Sequence, residues 1–90
     1  MENVVITVVG VDKPGIVAGV TKVLAEHEAN IVDIRQTIME ELFTMIMMAD
    51  ISNLKGDISN LKQDLERLGA EIGVKINVQH ENIFKYMHRI

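Results

Sequence analysis

The segment Gly10-Val11-Asp12-Lys13-Pro14-Gly15 joins an apolar run to an apolar-faced helical stretch, and its residue types suit the binding of a small anion. Pro14 can open a helix without loss, because its missing N–H would have no intrahelical partner there. Gly15 lets the first helical turn approach another backbone closely. Together they leave backbone N–H groups free at a helix N-terminus, a place that receives a carboxylate or a phosphate. Such a junction serves binding rather than catalysis.

Catalytic chemistry finds little else to work with. Thr7, Thr21, Ser52 and Ser59 have no histidine at a spacing that would bring a base beside them. An acyl-phosphate hydrolase on a comparable scaffold would want an arginine in the first loop, and Lys13 is the cation offered. Glu40-Glu41 is a pair of acids in a short connection with no converging third group, which gives glycosidase chemistry no support. His27, His80 and His88 are scattered, and only the weak pair His80-Glu81 has ligand-like spacing, so no metal is expected. The expectation is a protein that is not an enzyme and needs no cofactor.

Composition narrows the class further. Ninety residues make one small domain, and a chain this short buries roughly 60–65% of its unfolded surface, so it gains from a partner. There is no cysteine, hence no disulfide, thiolate metal site or thiol nucleophile. The net charge of -4 and only three aromatic residues argue against a nucleic-acid surface, which is normally basic and often carries stacking rings. No apolar run approaches the ~20 residues of a membrane span, and the first residues lack a signal-peptide pattern. A cytoplasmic protein that binds neither membrane nor nucleic acid is expected.

The elements that would position the loop follow from periodicity. Asn3 to Val9 is short, β-branched and stops at Gly10, which predicts a strand. Ile16, Val17, Val20, Val23 and Leu24 then recur at helical spacing, predicting a helix from Pro14 or Gly15 to about Glu28, broken by Ala29-Asn30. Ile31 to Met39 alternates as a second strand, with Val32, Ile34 and Ile38 on one face. Leu42 to about Ile51 makes a third, with Phe43, Met45, Met47, Ala49 and Ile51 together; the short link between the two implies an antiparallel hairpin. Asp50-Ile51-Ser52-Asn53-Leu54-Lys55 is repeated as Asp57-Ile58-Ser59-Asn60-Leu61-Lys62, and only the second copy is needed as helix. Asp57 is its expected N-cap, Leu61, Leu65, Leu68 and Ile72 its apolar stripe, Gly73 its end, and Asp64-Glu66-Arg67 a solvated face. Val74 to Gln79 is the last strand.

The order β-α-β-β-α-β predicts an α+β, ferredoxin-like sandwich over residues 1–80, a four-stranded antiparallel sheet with both helices on one face. Val5, Val9, Ile46 and Met48 point away from the helices, so the second face is apolar too. Residues 81–90 read as a short amphipathic helical tail, with Phe84, Met87, Ile83 and Ile90 inward, docking on the domain or on a partner subunit. A homodimer is expected from the exposed apolar surface.

These residues resemble a known family. The element order, Asp12-Lys13-Pro14-Gly15-Ile16-Val17 after the first strand, and Ala29-Asn30-Ile31 opening the second are similar to the ACT domain, over about Asn3 to Gln79. The tail resembles the ending of a group of small stand-alone ACT proteins, and that group resembles the ACT halves of the glycine-cleavage transcriptional repressor. The resemblance implies a regulatory module binding an amino acid or similar metabolite between the first loop and the start of the second strand, often at a dimer interface. It implicates Gly10, Val11, Asp12, Lys13, Pro14, Gly15 and Ile16 in the loop, with Asn30 and Ile31 opposite. Some relatives carry a histidine where this chain has Gly10, and an amide where it has Asp12, which would attract an ammonium group. The alternative is a protein-interaction module without a small ligand, acting on a regulatory partner.

Overall fold

The computed structural model describes residues 2–82 as β1 (Asn3–Val11), α1 (Ile16–Glu26), β2 (Asn30–Met39), β3 (Leu42–Asp50), α2 (Ile58–Ile72) and β4 (Val74–His80). The strands form one sheet in the order β2-β3-β1-β4, with every pairing antiparallel. This is the expected ferredoxin-like βαββαβ sandwich. The tail expected to dock through Ile83, Phe84, Met87 and Ile90 lies outside the described residues.

Alternation explains the core. Val4, Ile6 and Val8 of β1 and Met45 and Met47 of β3 are almost wholly buried, and Val20, Leu24, Leu61 and Leu65 of the helices meet them. The opposite sheet face carries Val9, Val11, Leu42 and Ile46, each at least 40% exposed, although Val5 on the same face is buried. Residues bearing this mixture leave the chain with an apolar strip facing outward.

Three boundaries differ from expectation, each for a local reason. Gly10 does not stop β1, which runs on to Val11. Gly10 lies opposite both Phe43 and Val74, and a Cβ there would sit 2.6 Å from a Val74 methyl. The glycine is a packing requirement rather than a terminator. Second, α1 begins at Ile16 rather than at Pro14, because Gly15 takes φ 91 and serves as the N-cap. Pro14 therefore precedes the helix. Third, α1 ends at Glu26 rather than about Glu28; His27 is the C-cap, and Glu28 at φ 59 takes the left-handed conformation.

In β2 the simple alternation also fails at one point. Ile31 pairs with Ala49 and Asp33 with Met48, so a bulge drops Val32 out of register. Ile34 and Ile38 keep their places opposite Met47 and Phe43 on the helix side, but Ile31 replaces Val32. β2 is an edge strand, and only Ile34 in it is even half-buried.

The repeated segment shows one motif with two outcomes. Asp57 Oδ1 accepts the Ser59 N–H at 3.2 Å and opens α2. Asp50 Oδ1 accepts both the Ser52 N–H at 2.9 Å and the Ser52 hydroxyl at 2.7 Å, closing a turn instead. Lys55 N–H then donates to the His27 carbonyl at 2.8 Å, tying the first copy to the end of α1. Gly69 lets α2 lie close on β4, since a Cβ would come within 2.7 Å of the Val74 carbonyl oxygen. At the C-cap of α2, Gly73 takes φ 76 and donates its N–H to the Gly69 carbonyl.

Two outcomes are expected. Gly10→Ala should destabilise by about 1–3 kcal/mol through overpacking against Val74. Val74→Ala in the same chain should restore part of that loss, which a double-mutant cycle of urea midpoints would read as non-additivity. The Ser52 hydroxyl, then the Ser52 N–H, hold the Asp50 carboxyl below its ordinary value, against a smaller opposing effect of desolvation. A carboxyl lowered on folding contributes stability above its unfolded pKa and loses it as pH falls through the folded one. Wild type should therefore melt above Asp50→Asn at pH 7, and the gap should close as pH drops below about 4.

Candidate functional site

The loop from Asp12 to Gly15 is held from three sides. The Asp12 N–H donates to the Glu41 carbonyl at 2.7 Å, which fixes the loop against the β2–β3 hairpin turn. The Lys13 ammonium lies 3.1 Å from where a Cβ on Gly73 would stand. That places a cation at the C-terminal end of α2, the negative end of its dipole. Lys13 thus has a structural task. Gly15 turns the chain into α1, and its carbonyl accepts the Gly19 N–H at 2.9 Å.

This leaves a helix start without a side-chain cap. No side chain accepts from the first turn of α1, and the turn holds no acidic residue of its own. The N–H groups of Ile16, Val17 and Ala18 are the donors a helix N-terminus exposes. Asp12 is exposed, and its carboxylate does not cap the helix, so the turn-tightening role open to an Asp at this point is not the one it fills. Glu40 and Glu41 lie at the same end, Glu40 with φ 57, a left-handed conformation uncommon for a long side chain. A helix start without a side-chain cap is a place for an anion, and acidic residues lie at the same end of the sheet.

Asn30 and Ile31 stand elsewhere. Asn30 pairs with Asp50, which pairs with Asn3, whereas Val11 pairs with Leu42, which pairs with Met39. Asp12 and Asn30 therefore lie at opposite ends of the sheet within one chain. Eight residue steps separate the two rows, about 26 Å at ~3.3 Å per residue. The physical reason is topological: a helix between β1 and β2 returns the chain to its starting end, so the two strands run parallel. Gly10, Val11, Asp12, Lys13, Pro14, Gly15 and Ile16 are brought together; Asn30 and Ile31 are not brought to them.

Near Asn30 the polar side chains are engaged structurally. His27 Nε2 lies 2.7 Å from Asp64 Oδ2, locking the end of α1 to α2, and Asp64 also meets Arg67 at 3.3 Å. Asp64 is thus a tertiary contact rather than merely part of a solvated face. The sequence signal for it was faint, since the partners are 37 positions apart. His80 Nε2 meets Glu2 Oε2 at 3.1 Å across the adjacent strand ends. No group of three or more His, Cys, Asp or Glu able to hold a metal is found among the described residues.

With this geometry in place, likeness to known proteins becomes informative. A UPF0237 protein of Methanococcus maripaludis is 80% identical over 90 residues, covering 100% of both chains. An ACT domain protein from Streptococcus pneumoniae superposes with a TM-score of 0.79 at 46% identity, covering 92% of this chain and 93% of that one. A candidate glycine cleavage system transcriptional repressor superposes at 0.73 with 27% identity, covering 88% of this chain and 45% of the other. No helix among the described residues is long and apolar enough to cross a membrane. The model of the ACT domain matches residues 2–79, and the chain belongs to the ACT domain family.

Proposed function

We propose that this chain is a non-enzymatic regulatory module that binds an amino acid or similar metabolite at a homodimer interface. The observation that carries the reading is the uncapped start of α1 beside the exposed Asp12 carboxylate. A guest carboxylate would meet the N–H groups of Ile16, Val17 and Ala18, and its ammonium would meet Asp12. Asn30 completes the site only from a second copy, because one chain holds it at the far end of the sheet. A two-fold axis running antiparallel along β2 places the start of one β2 beside the end of the other, and hence beside the partner's loop. Kinship with a candidate transcriptional repressor supports a regulatory rather than a catalytic role. Regulation would follow if the guest binds one dimer geometry better than another, since only such a difference shifts the balance.

A second reading rests on the outward apolar strip of Val9, Val11, Leu42 and Ile46. There the chain is a protein-interaction module acting on a regulatory partner, and the loop is architectural.

Calorimetry with the twenty amino acids separates the two. At least one should give heat, and Asp12→Ala and Asn30→Ala should each weaken that binding about ten-fold or more, as loss of a charge-assisted contact does. No heat and no thermal stabilisation with any of the twenty would overturn the ligand reading.

A further inference from the structure

The outer face of the sheet is unevenly open, and the difference falls within one strand. Val5 and Val9 both lie on the inner strand β1, on the face away from the helices. Each has a neighbour on both sides, Met48 and Gln79 for Val5, Thr44 and Lys75 for Val9. Yet Val9 is 40% exposed and Val5 is 7% exposed. Asn3, next along the same face, is 8% exposed, although both helices pack on the opposite side. A polar signal marks the same place. Asn3 Nδ2 donates to Met48 Sδ at 3.5 Å, whereas Asn3 Oδ1 has no partner among the described residues. A buried amide oxygen is rarely left without a donor.

The chain itself leads to this spot. The Glu81 N–H donates to the Asn3 carbonyl at 3.1 Å, so the backbone leaves β4 beside Asn3. His80 Nδ1 accepts the Asn82 N–H at 3.2 Å, the bond an N-cap side chain makes to the second residue of a helix. With Nδ1 accepting, Nε2 carries the ring proton and donates to Glu2 Oε2 at 3.1 Å, which anchors the turn to the start of β1. Residues 83–90 follow, and helical periodicity would put Ile83, Phe84, Met87 and Ile90 on one side, with Lys85 and Arg89 on the other. Eight helical residues span about 12 Å. Crossing from β4 over β1 to β3 takes about 10 Å, at ~4.8 Å per gap between strands.

We propose that residues 83–90 fold back as an amphipathic helix across the outer face of their own sheet, over Asn3, Val5 and Met48. Lys85, Tyr86, His88, Arg89 and the tail's own amides are donors for the Asn3 oxygen. Asp33 and Asp50 stand on the outer side of β2 and β3 at this end, opposite in sign to Lys85 and Arg89. Val9 lies about 13 Å further along β1 than Val5. That is beyond the cover of one helix ~10 Å wide, so its exposure is expected. The face is thereby divided. Its own tail covers the end where β1 begins, and Val9, Val11, Leu42 and Ile46 stay open beside the Asp12 loop for a partner protein.

The test uses the full chain and nuclear Overhauser contacts between assigned side chains. The Phe84 ring and the Met87 methyl should contact the methyls of Val5 and Met48, and not those of Val9. In a one-to-one mixture of labelled and unlabelled chains, filtered spectra should show none of these contacts between chains. A stability cycle reads the same contact independently. Val5→Ala and Phe84→Ala should couple by about three-fold or more in the unfolding equilibrium constant, while Val9→Ala and Phe84→Ala should add. Contacts seen only between chains assign the tail to a second copy and overturn the proposal. No contact with Val5 and Met48, or additive behaviour of Val5 with Phe84, overturns it as well.

Discussion

The antiparallel ladder of β1 with β3 is the constraint from which the remaining geometry follows. It holds nine residue pairs, from Asn3 with Asp50 to Val11 with Leu42. Its helix-side residues Val4, Ile6, Val8, Met45 and Met47 form the floor on which both helices lie. Because β3 also pairs antiparallel with β2, the ladder fixes β1 and β2 as parallel and puts their opposite termini far apart. A slip of one residue would turn every floor residue to the outer face, so the register is strongly held.

This constraint separates what the loop does for the fold from what it leaves free. Gly10 admits Val74, Lys13 serves the end of α2, and Gly15 makes the turn into α1. The Asp12 backbone is spent on Glu41. Among the described residues, no bond is recorded for the Asp12 carboxylate and no side chain caps the first helical turn. The absence of a side chain at Gly10 has a packing reason. With Val74 packed against the backbone, no side chain at this position fits without a shift of β4.

The element order was legible because each segment carries one dominant period and clear punctuation. Asp57 and Gly73 bracket α2 as their types suggest, and the alternation of β3 and β4 survives intact. Three features were less visible. The bulge at Val32 leaves no mark in composition, since Ile31 and Val32 are both apolar and either phase fits. The start of α1 was expected at Pro14 or Gly15, but the left-handed φ of Gly15 makes that residue the cap and moves the first helical residue to Ile16. The contact of His27 with Asp64 joins distant segments and belongs to packing. The separation of Asp12 from Asn30 is a different case. It follows from β-α-β order alone, because a crossover helix makes its flanking strands parallel.

That separation is why the proposed site is divided between two copies. Within one chain, the loop supplies donors and an acid, but Asn30 stands at the other end of the sheet, about 26 Å away along the strands. In the proposed dimer a second copy would remove that distance. A guest held across the boundary would then stabilise the pair by an amount set by its concentration relative to its dissociation constant. By linkage, whatever strengthens pairing strengthens binding by the same factor. Were pairing already saturated without a guest, the guest would have nothing left to shift.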